Sequence, residues 1–280
     1  MSGRRIGFWY RAAAVLVKPP LVVLFKRDWR GMEHIPAEGG FITAINHNSY
    51  LDPLSYAHFQ YNTGRVPRFL AKAGLFKGSF VGTFLRGTGQ IPVYRESTDA
   101  ANAFRAAVDA INKGECVAFY PEGTLTRDPD QWPMRGKTGA ARVALLTKAP
   151  VIPVAQWGAN EAMPPYAKEK RLRLFPRKTL RVQAGPPVDL SEFYGQEPTV
   201  EVLRGATDAI MAAITELLAE VRGEPVPDRP PVQRRARAAE RSVPAERTGE
   251  TESDSGAART PATDKAPEAR QAREAEEERK

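Results

Sequence analysis

Short apolar runs alternate with helical stretches along most of this chain, and that alternation limits the folds open to it. "FITAI" (41–45), "GQIPVY" (89–94), "CVAFY" (116–120) and "PVIPVAQWG" (150–158) have the length and β-branched or aromatic content of buried strands. "PLSYAHFQ" (53–60), "STDAANAFRAAVDAINKG" (97–114) and "GAARVALLTKA" (139–149) read as helices between them. In the second of these, Ser97 or Thr98 can cap the start, apolar residues recur from Ala103 to Ile111, and Gly114 ends it. "RFLAKAGLF" (68–76) is strand-like and turns into an apolar segment, and "RLRLF" (171–175) and "TLRVQAG" (179–185) can pair as strands. An amphipathic helix over 199–223 closes the pattern. The alternation predicts one α/β domain: a central mixed, largely buried β-sheet flanked by helices.

Three parts follow from composition. From Gly223 to Lys280 there is no aromatic residue, and three valines are the only aliphatics larger than alanine. Such a segment buries too little apolar surface to offset its ordering entropy, so 223–280 is expected to be a disordered Pro/Arg/Glu/Ala-rich tail. Residues 29–222 are left as the domain, a normal size for one core. Residues 1–222 hold 29 Lys and Arg against 20 Asp and Glu, a net charge of +9, which suits anionic partners. Ahead of the domain, residues 1–28 have an apolar run with Arg11 inside it, broken by Lys18-Pro19-Pro20. A spanning helix needs roughly 20 predominantly apolar residues. With Phe8-Trp9-Tyr10 flanked by arginines, the segment reads as a helix lying in a membrane interface. A secretory signal and an ordinary core helix are the competing readings. The single cysteine, Cys116, excludes an internal disulfide and sits in a strand-like run as a small core residue.

"AINHNSYLDP" (44–53) is the first candidate for chemistry. A neutral imidazole is the usual general base near neutral pH, and a carboxylate on its second ring nitrogen fixes the tautomer. His47 and Asp52 have those types at a spacing that a turn can close. The competing reading is local: Asp52 before Pro53 looks like a helix N-cap, and Ser49 can also serve a cap. Further polar groups follow the later strands: Arg95 after "GQIPVY", and Glu122, Gly123 and Thr124 in "FYPEGTLTR". Strand ends are where α/β domains place ligand groups. A guanidinium suits a phosphate, and Lys72, between apolar residues, either snorkels or meets an anion.

"NHNSYLD", "GQIPVYR", "YPEGT" and "VIPV", in this order, resemble the four blocks of the glycerolipid acyltransferase family, whose best-known members are the lysophosphatidic acid acyltransferases. The resemblance runs from about Trp29 to Gly185. It implies transfer of an acyl group from acyl-CoA or acyl-carrier protein, at an anionic membrane surface, to the lysophospholipid 1-acyl-glycerol-3-phosphate, giving phosphatidic acid, with another lysophospholipid, glycerol-3-phosphate or a glycolipid as the alternative acceptors. The implied location is the cytoplasmic face of the cell membrane, peripheral or monotopic. His47 would be the general base and Asp52 its orienter, with no acyl-enzyme and no cofactor. Arg95, Glu122, Gly123 and Thr124 would belong to the acceptor site, Lys72 and Arg127 would be further cations there, and Asn46 would support the His47 loop. The chain departs from the family where Leu125 and Thr126 replace an Arg-Ser pair, so one expected cation is either missing or supplied by Arg127.

No metal site is expected from a lone histidine among scattered carboxylates. His34 and His58 read as structural. Nucleic-acid binding is disfavoured because the aromatics lie in apolar runs and are not interleaved with cations. A docking protein with a decayed site is disfavoured by the intact His47 and Asp52.

Overall fold

A computed structural model describes residues 6–93, 100–167 and 172–233. Arg95, with Ser97 and Thr98, lies outside those residues, as does the tail from 234.

Among the described residues, seven strands form one mixed sheet. They are β1 (Lys26–Arg30), β2 (Phe41–Ile45), β3 (Pro67–Lys72), β4 (Ile91–Val93), β5 (Cys116–Phe119), β6 (Val151–Trp157) and β7 (Thr179–Ala184), in the order β1-β7-β6-β2-β5-β3-β4. Every pairing is parallel except β6 with β7. β2 sits at the centre and all five of its residues are buried. Its side chains alternate between two cores. Ile42 and Ala44 join Val117, Phe119 and Val151 beneath α4 (Ala100–Asn112), α5 (Gly139–Thr147) and α7 (Val200–Arg222). Phe41 and Ile45 join Ile152, Val154 and the Tyr56 and Phe59 rings of α2 (Asp52–Tyr61) on the other face. That two-residue period is what a central strand with helices on both sides requires. β1, with the charged sequence "KRDWR", is an edge strand.

The structure differs from the sequence reading in three places. "RLRLF" forms no strand in its described residues 172–175, and β7 pairs instead with β1 and β6. A helix absent from the reading, α3 (Ser79–Gly87), follows β3. Its sequence "SFVGTFLRG" has two glycines and a threonine, which hid its helical period. The third correction concerns the tail. Gly223, in the left-handed region at φ +68°, ends α7, but the chain then packs back on the domain. Arg229 pairs with Asp128 at 2.6 and 2.8 Å, and the Arg135 N–H donates to the Val232 carbonyl at 3.1 Å. Two specific polar contacts hold this stretch where apolar burial alone would not.

The N-terminal segment is a single helix, α1 (Phe8–Leu24), which runs on through Pro19–Pro20. One side docks on the domain. Leu21 and the following Phe25 are buried with Ala159, Ala162 and Leu180. Tyr10 donates to the Pro67 carbonyl and accepts from Gln90 Nε2 at 2.8 Å. The other side carries apolar residues into the open: Phe8 and Val15 are each 76% exposed. The helix is therefore part of the domain's packing and an apolar outer face at once. Among the described residues no helix is long and apolar enough to cross a membrane.

Phe25 is 3% exposed, so Phe25→Ala should cost about 3–5 kcal/mol as a large core truncation. A guanidinium melt of the variant beside wild type measures this.

Candidate active site

Four neighbouring parallel strands, β6, β2, β5 and β3, end on the same edge of the sheet. The residues that follow their ends therefore converge. After β2 come Asn46, His47, Asn48 and Ser49; after β5 come Tyr120 to Gly123; β3 ends at Lys72.

Asp52 opens α2 but does not cap it. Its Oδ2 turns back and accepts the backbone N–H groups of Asn48 at 2.6 Å and Ser49 at 2.7 Å. The same oxygen lies 3.0 Å from His47 Nδ1. Against a carboxylate, Nδ1 carries the proton, which leaves the lone pair on Nε2. Burial lifts the Asp52 carboxyl above the ordinary aspartate value, against the pull of His47 and the two backbone N–H groups. Ser49 makes no helix cap either: its hydroxyl donates to the Met163 carbonyl at 2.8 Å and accepts from the Leu51 N–H at 3.2 Å.

Asn46 and Glu122 fix the backbone around the histidine. Asn46 Oδ1 accepts the Gln156 N–H at 2.7 Å, and its Nδ2 reaches the Gln156 carbonyl at 3.0 Å and Asn48 Oδ1 at 2.9 Å. This ties the end of β2 to β6. Glu122 is 1% exposed. Its Oε1 accepts the His47 N–H at 2.9 Å and its Oε2 accepts the Met134 N–H at 3.0 Å. Both oxygens are thus occupied by backbone, and the side chain does not line the cleft beside His47. The geometry makes Glu122 a strut between two loops, where the family resemblance implied an acceptor contact.

The cleft has a volume of about 450 Å³ and runs between α1, α2, α3 and β3. His47 and Lys72 lie on its wall with Tyr10, Val17, Leu54 and Leu85. The His47 ring stacks on Tyr120 at 4.2 Å between centroids, and Tyr120 stacks in turn on Phe69 at 6.1 Å.

Gly123, Thr124 and Arg127 are not on that wall. Gly123 has φ +68°, and the Lys137 side chain crosses it so closely that a Cβ there would stand 2.8 Å from Lys137 Cε. Thr124 Oγ1 is 3.2 Å from the Tyr166 hydroxyl, which donates to the Leu125 carbonyl at 2.8 Å. The Arg127 guanidinium is exposed and lies over the Tyr166 ring at 5.7 Å.

Sequence reasoning missed Lys137, Tyr166 and Gln131. Gln131 sits at φ +63° and its carbonyl accepts Asn48 Nδ2 at 3.1 Å, while its side-chain oxygen accepts Asn160 Nδ2 at 2.6 Å. Only the "DPDQWP" turn composition hinted at a special backbone there.

Cys116 is buried, and burial pushes its thiol up to about 12. His58 packs edge-on against Trp29, and burial, with Lys18 and Arg27, pulls it down to about 4. His34 is 3.9 Å from Glu33. Among the described residues no three His, Cys, Asp or Glu side chains cluster as a metal site.

Residues 26–157 match the family described as Acyltransferase. The chain is 29% identical over 188 residues to the 1-acyl-sn-glycerol-3-phosphate acyltransferase of Bacillus subtilis (strain 168), covering 66% of this chain and 84% of that protein. It is 28% identical over 142 residues to the chloroplastic 1-acyl-sn-glycerol-3-phosphate acyltransferase BAT2 of Brassica napus, covering 50% of this chain and 40% of the plant protein. The crystal structure of the 1-acyl-sn-glycerophosphate acyltransferase PlsC from Thermotoga maritima shares the fold, with a TM-score of 0.58 at 22% identity over 77% of this chain and 80% of that one.

Burial pushes the Glu122 carboxyl up to about 8, opposed by the Met134 and His47 N–H groups. Its folded value lies above the ordinary 4.5, so the fold holds the proton more tightly than the unfolded chain does. Stability through this group therefore falls as pH rises from about 4.5 to about 8 and is flat above. Glu122→Gln removes the titration and also turns one N–H acceptor into a donor. The variant should melt lower than wild type at pH 5, with a smaller fall in Tm between pH 5 and 8. Thermal melts across that range check both parts.

Proposed function

We propose that this protein transfers a fatty acyl group from acyl-CoA or acyl-carrier protein to the free hydroxyl of 1-acyl-glycerol-3-phosphate, giving phosphatidic acid. The observation that carries the reading is the 3.0 Å contact between His47 Nδ1 and Asp52 Oδ2 on the wall of an apolar cleft. His47 Nε2 takes the proton of the acceptor hydroxyl as its oxygen attacks the thioester carbonyl. The C–O bond forms, the C–S bond breaks, and the imidazolium returns its proton to the departing thiolate. Asp52 holds the ring and balances the charge that His47 gains. The buried Cys116 thiol speaks for direct transfer, without an acyl-enzyme on sulfur.

Acceptor binding draws on cations. Arg95 grips the phosphate by family resemblance, and Lys72 is the cation on the cleft wall. Arg127, on its Tyr166 support, adds a second positive charge where the family's arginine is replaced by Leu125. Thr124 and Gly123 shape that loop. The apolar lining of the cleft suits an acyl chain.

The acceptor and product are bilayer lipids, so the cleft has to open at a membrane. Phe8, Val15 and Leu16 on α1 and Phe80 and Val81 on α3 are exposed on two of the helices that form the cleft. With the net charge of +9 over residues 1–222, they suit peripheral attachment to an anionic leaflet on its cytoplasmic side.

Acyl transfer from labelled acyl-CoA to 1-acyl-glycerol-3-phosphate, in wild type and His47→Ala, tests the reading. The variant should lose about 10²–10⁴-fold in kcat while remaining folded. Asp52→Asn should also lose most of its turnover. A fully active His47→Ala sinks the mechanism. Wild-type transfer only to glycerol-3-phosphate or another lysolipid replaces the acceptor and leaves the chemistry.

A further inference from the structure

The loop that follows β5 wraps the catalytic loop closely. The Thr126 N–H donates to the His47 carbonyl at 2.7 Å, Asn48 Nδ2 donates to the Gln131 carbonyl at 3.1 Å, and Met134 is joined to His47 through Glu122. This loop has no helix or strand between Pro121 and Thr138, and Gln131 holds a backbone conformation that a non-glycine residue rarely adopts. Such a conformation persists only where its surroundings fix it.

Part of that fixing comes from inside the loop, where Asp128 Oδ1 accepts the Asp130 N–H at 3.0 Å and the Trp132 N–H at 3.2 Å. The rest comes from the far end of the chain. Arg222 lies between the Trp132 and Trp157 rings, at 4.2 and 4.4 Å, and donates to the Asp130 carbonyl at 2.8 Å. The chain turns at Gly223 and brings Arg229 back, with two guanidinium N–H groups on the two Asp128 oxygens and a third contact to Asp130 Oδ2 at 3.0 Å. The Val232 carbonyl then accepts the Arg135 N–H. Planar two-point pairing fixes direction as well as distance, which a lysine cannot reproduce.

We propose that residues 224–233 form a strap that positions the catalytic loop, and that Arg229 is its positioning residue. The strap acts through Asp128 and the 126–134 loop on His47, and its effect on turnover rests on the reading of His47 and Asp52 as the catalytic pair. Arg229 touches no substrate. It holds the outer face of a loop whose inner face holds the histidine backbone. A small displacement of a general base weakens the chemical step more than it weakens binding.

The test uses the full chain with Arg229→Ala and Arg229→Lys, and with Gln183→Ala as a control that breaks an exposed contact of α7 with β7. Turnover and backbone amide exchange are both measured, well below the melting temperature. Arg229→Ala should lower kcat about tenfold, with KM for acceptor and donor within about twofold of wild type. Amide exchange should rise at 46–49 and 126–134 and stay unchanged in β5 and β6. Arg229→Lys should recover part of the turnover, and Gln183→Ala should behave as wild type. Wild-type kcat and wild-type exchange in Arg229→Ala overturn the proposal. So does a lowered melting temperature with normal kcat per folded molecule, the mark of a merely structural contact. If the wild type does not acylate the lysolipid, the acceptor reading falls, and the exchange pattern still decides the strap.

Discussion

Two buried carboxylates, Asp52 and Glu122, organise everything around the histidine. Each stands at the end of an element that the sheet places beside the other, and each accepts mainly from backbone N–H groups. Asp52 gathers the Asn48 and Ser49 N–H groups and the imidazole on one oxygen. Glu122 takes the His47 N–H on one side and the Met134 N–H on the other. A buried carboxyl group without such partners is strongly unfavourable, so the loops must close for these polar groups to be tolerated. The position of His47 is thus set by its backbone as much as by its side chain.

The sheet makes this arrangement possible at low cost in chain length. With β6, β2, β5 and β3 ending on one edge, loops far apart in sequence meet without long excursions. The antiparallel β7 and the edge strand β1 extend the sheet on the side where α1 docks. The helices that carry the apolar exterior therefore also build the wall of the cleft.

Much of this was legible in the sequence because it depends on local pattern. The central strands are continuous apolar runs, and the His47–Asp52 spacing is short enough for a turn to close. What escaped depends on long-range partners. Glu122 reads as a ligand group when its motif is seen alone, since nothing local says that Met134 and His47 will take both its oxygens. Beyond its prolines, the stretch 224–233 has only Val226 and Val232 as apolar side chains, so composition assigned it to a tail. Its attachment rests on Arg229 meeting Asp128, 101 residues away, and on Val232 meeting Arg135, pairings that no short window on the sequence contains. α3 was hidden by its glycines, and Gly87 has a reason to be there: a Cβ would stand 2.5 Å from the Trp9 indole of α1.

The lone cysteine has a consequence of a different kind. Thioesters exchange readily with exposed thiolates, and a protein that handles them risks capturing the acyl group on itself. Here the only sulfhydryl is enclosed in β5 and held protonated across the physiological range. Under the proposed thioester chemistry, the surface therefore offers the acyl donor no competing cysteine thiolate.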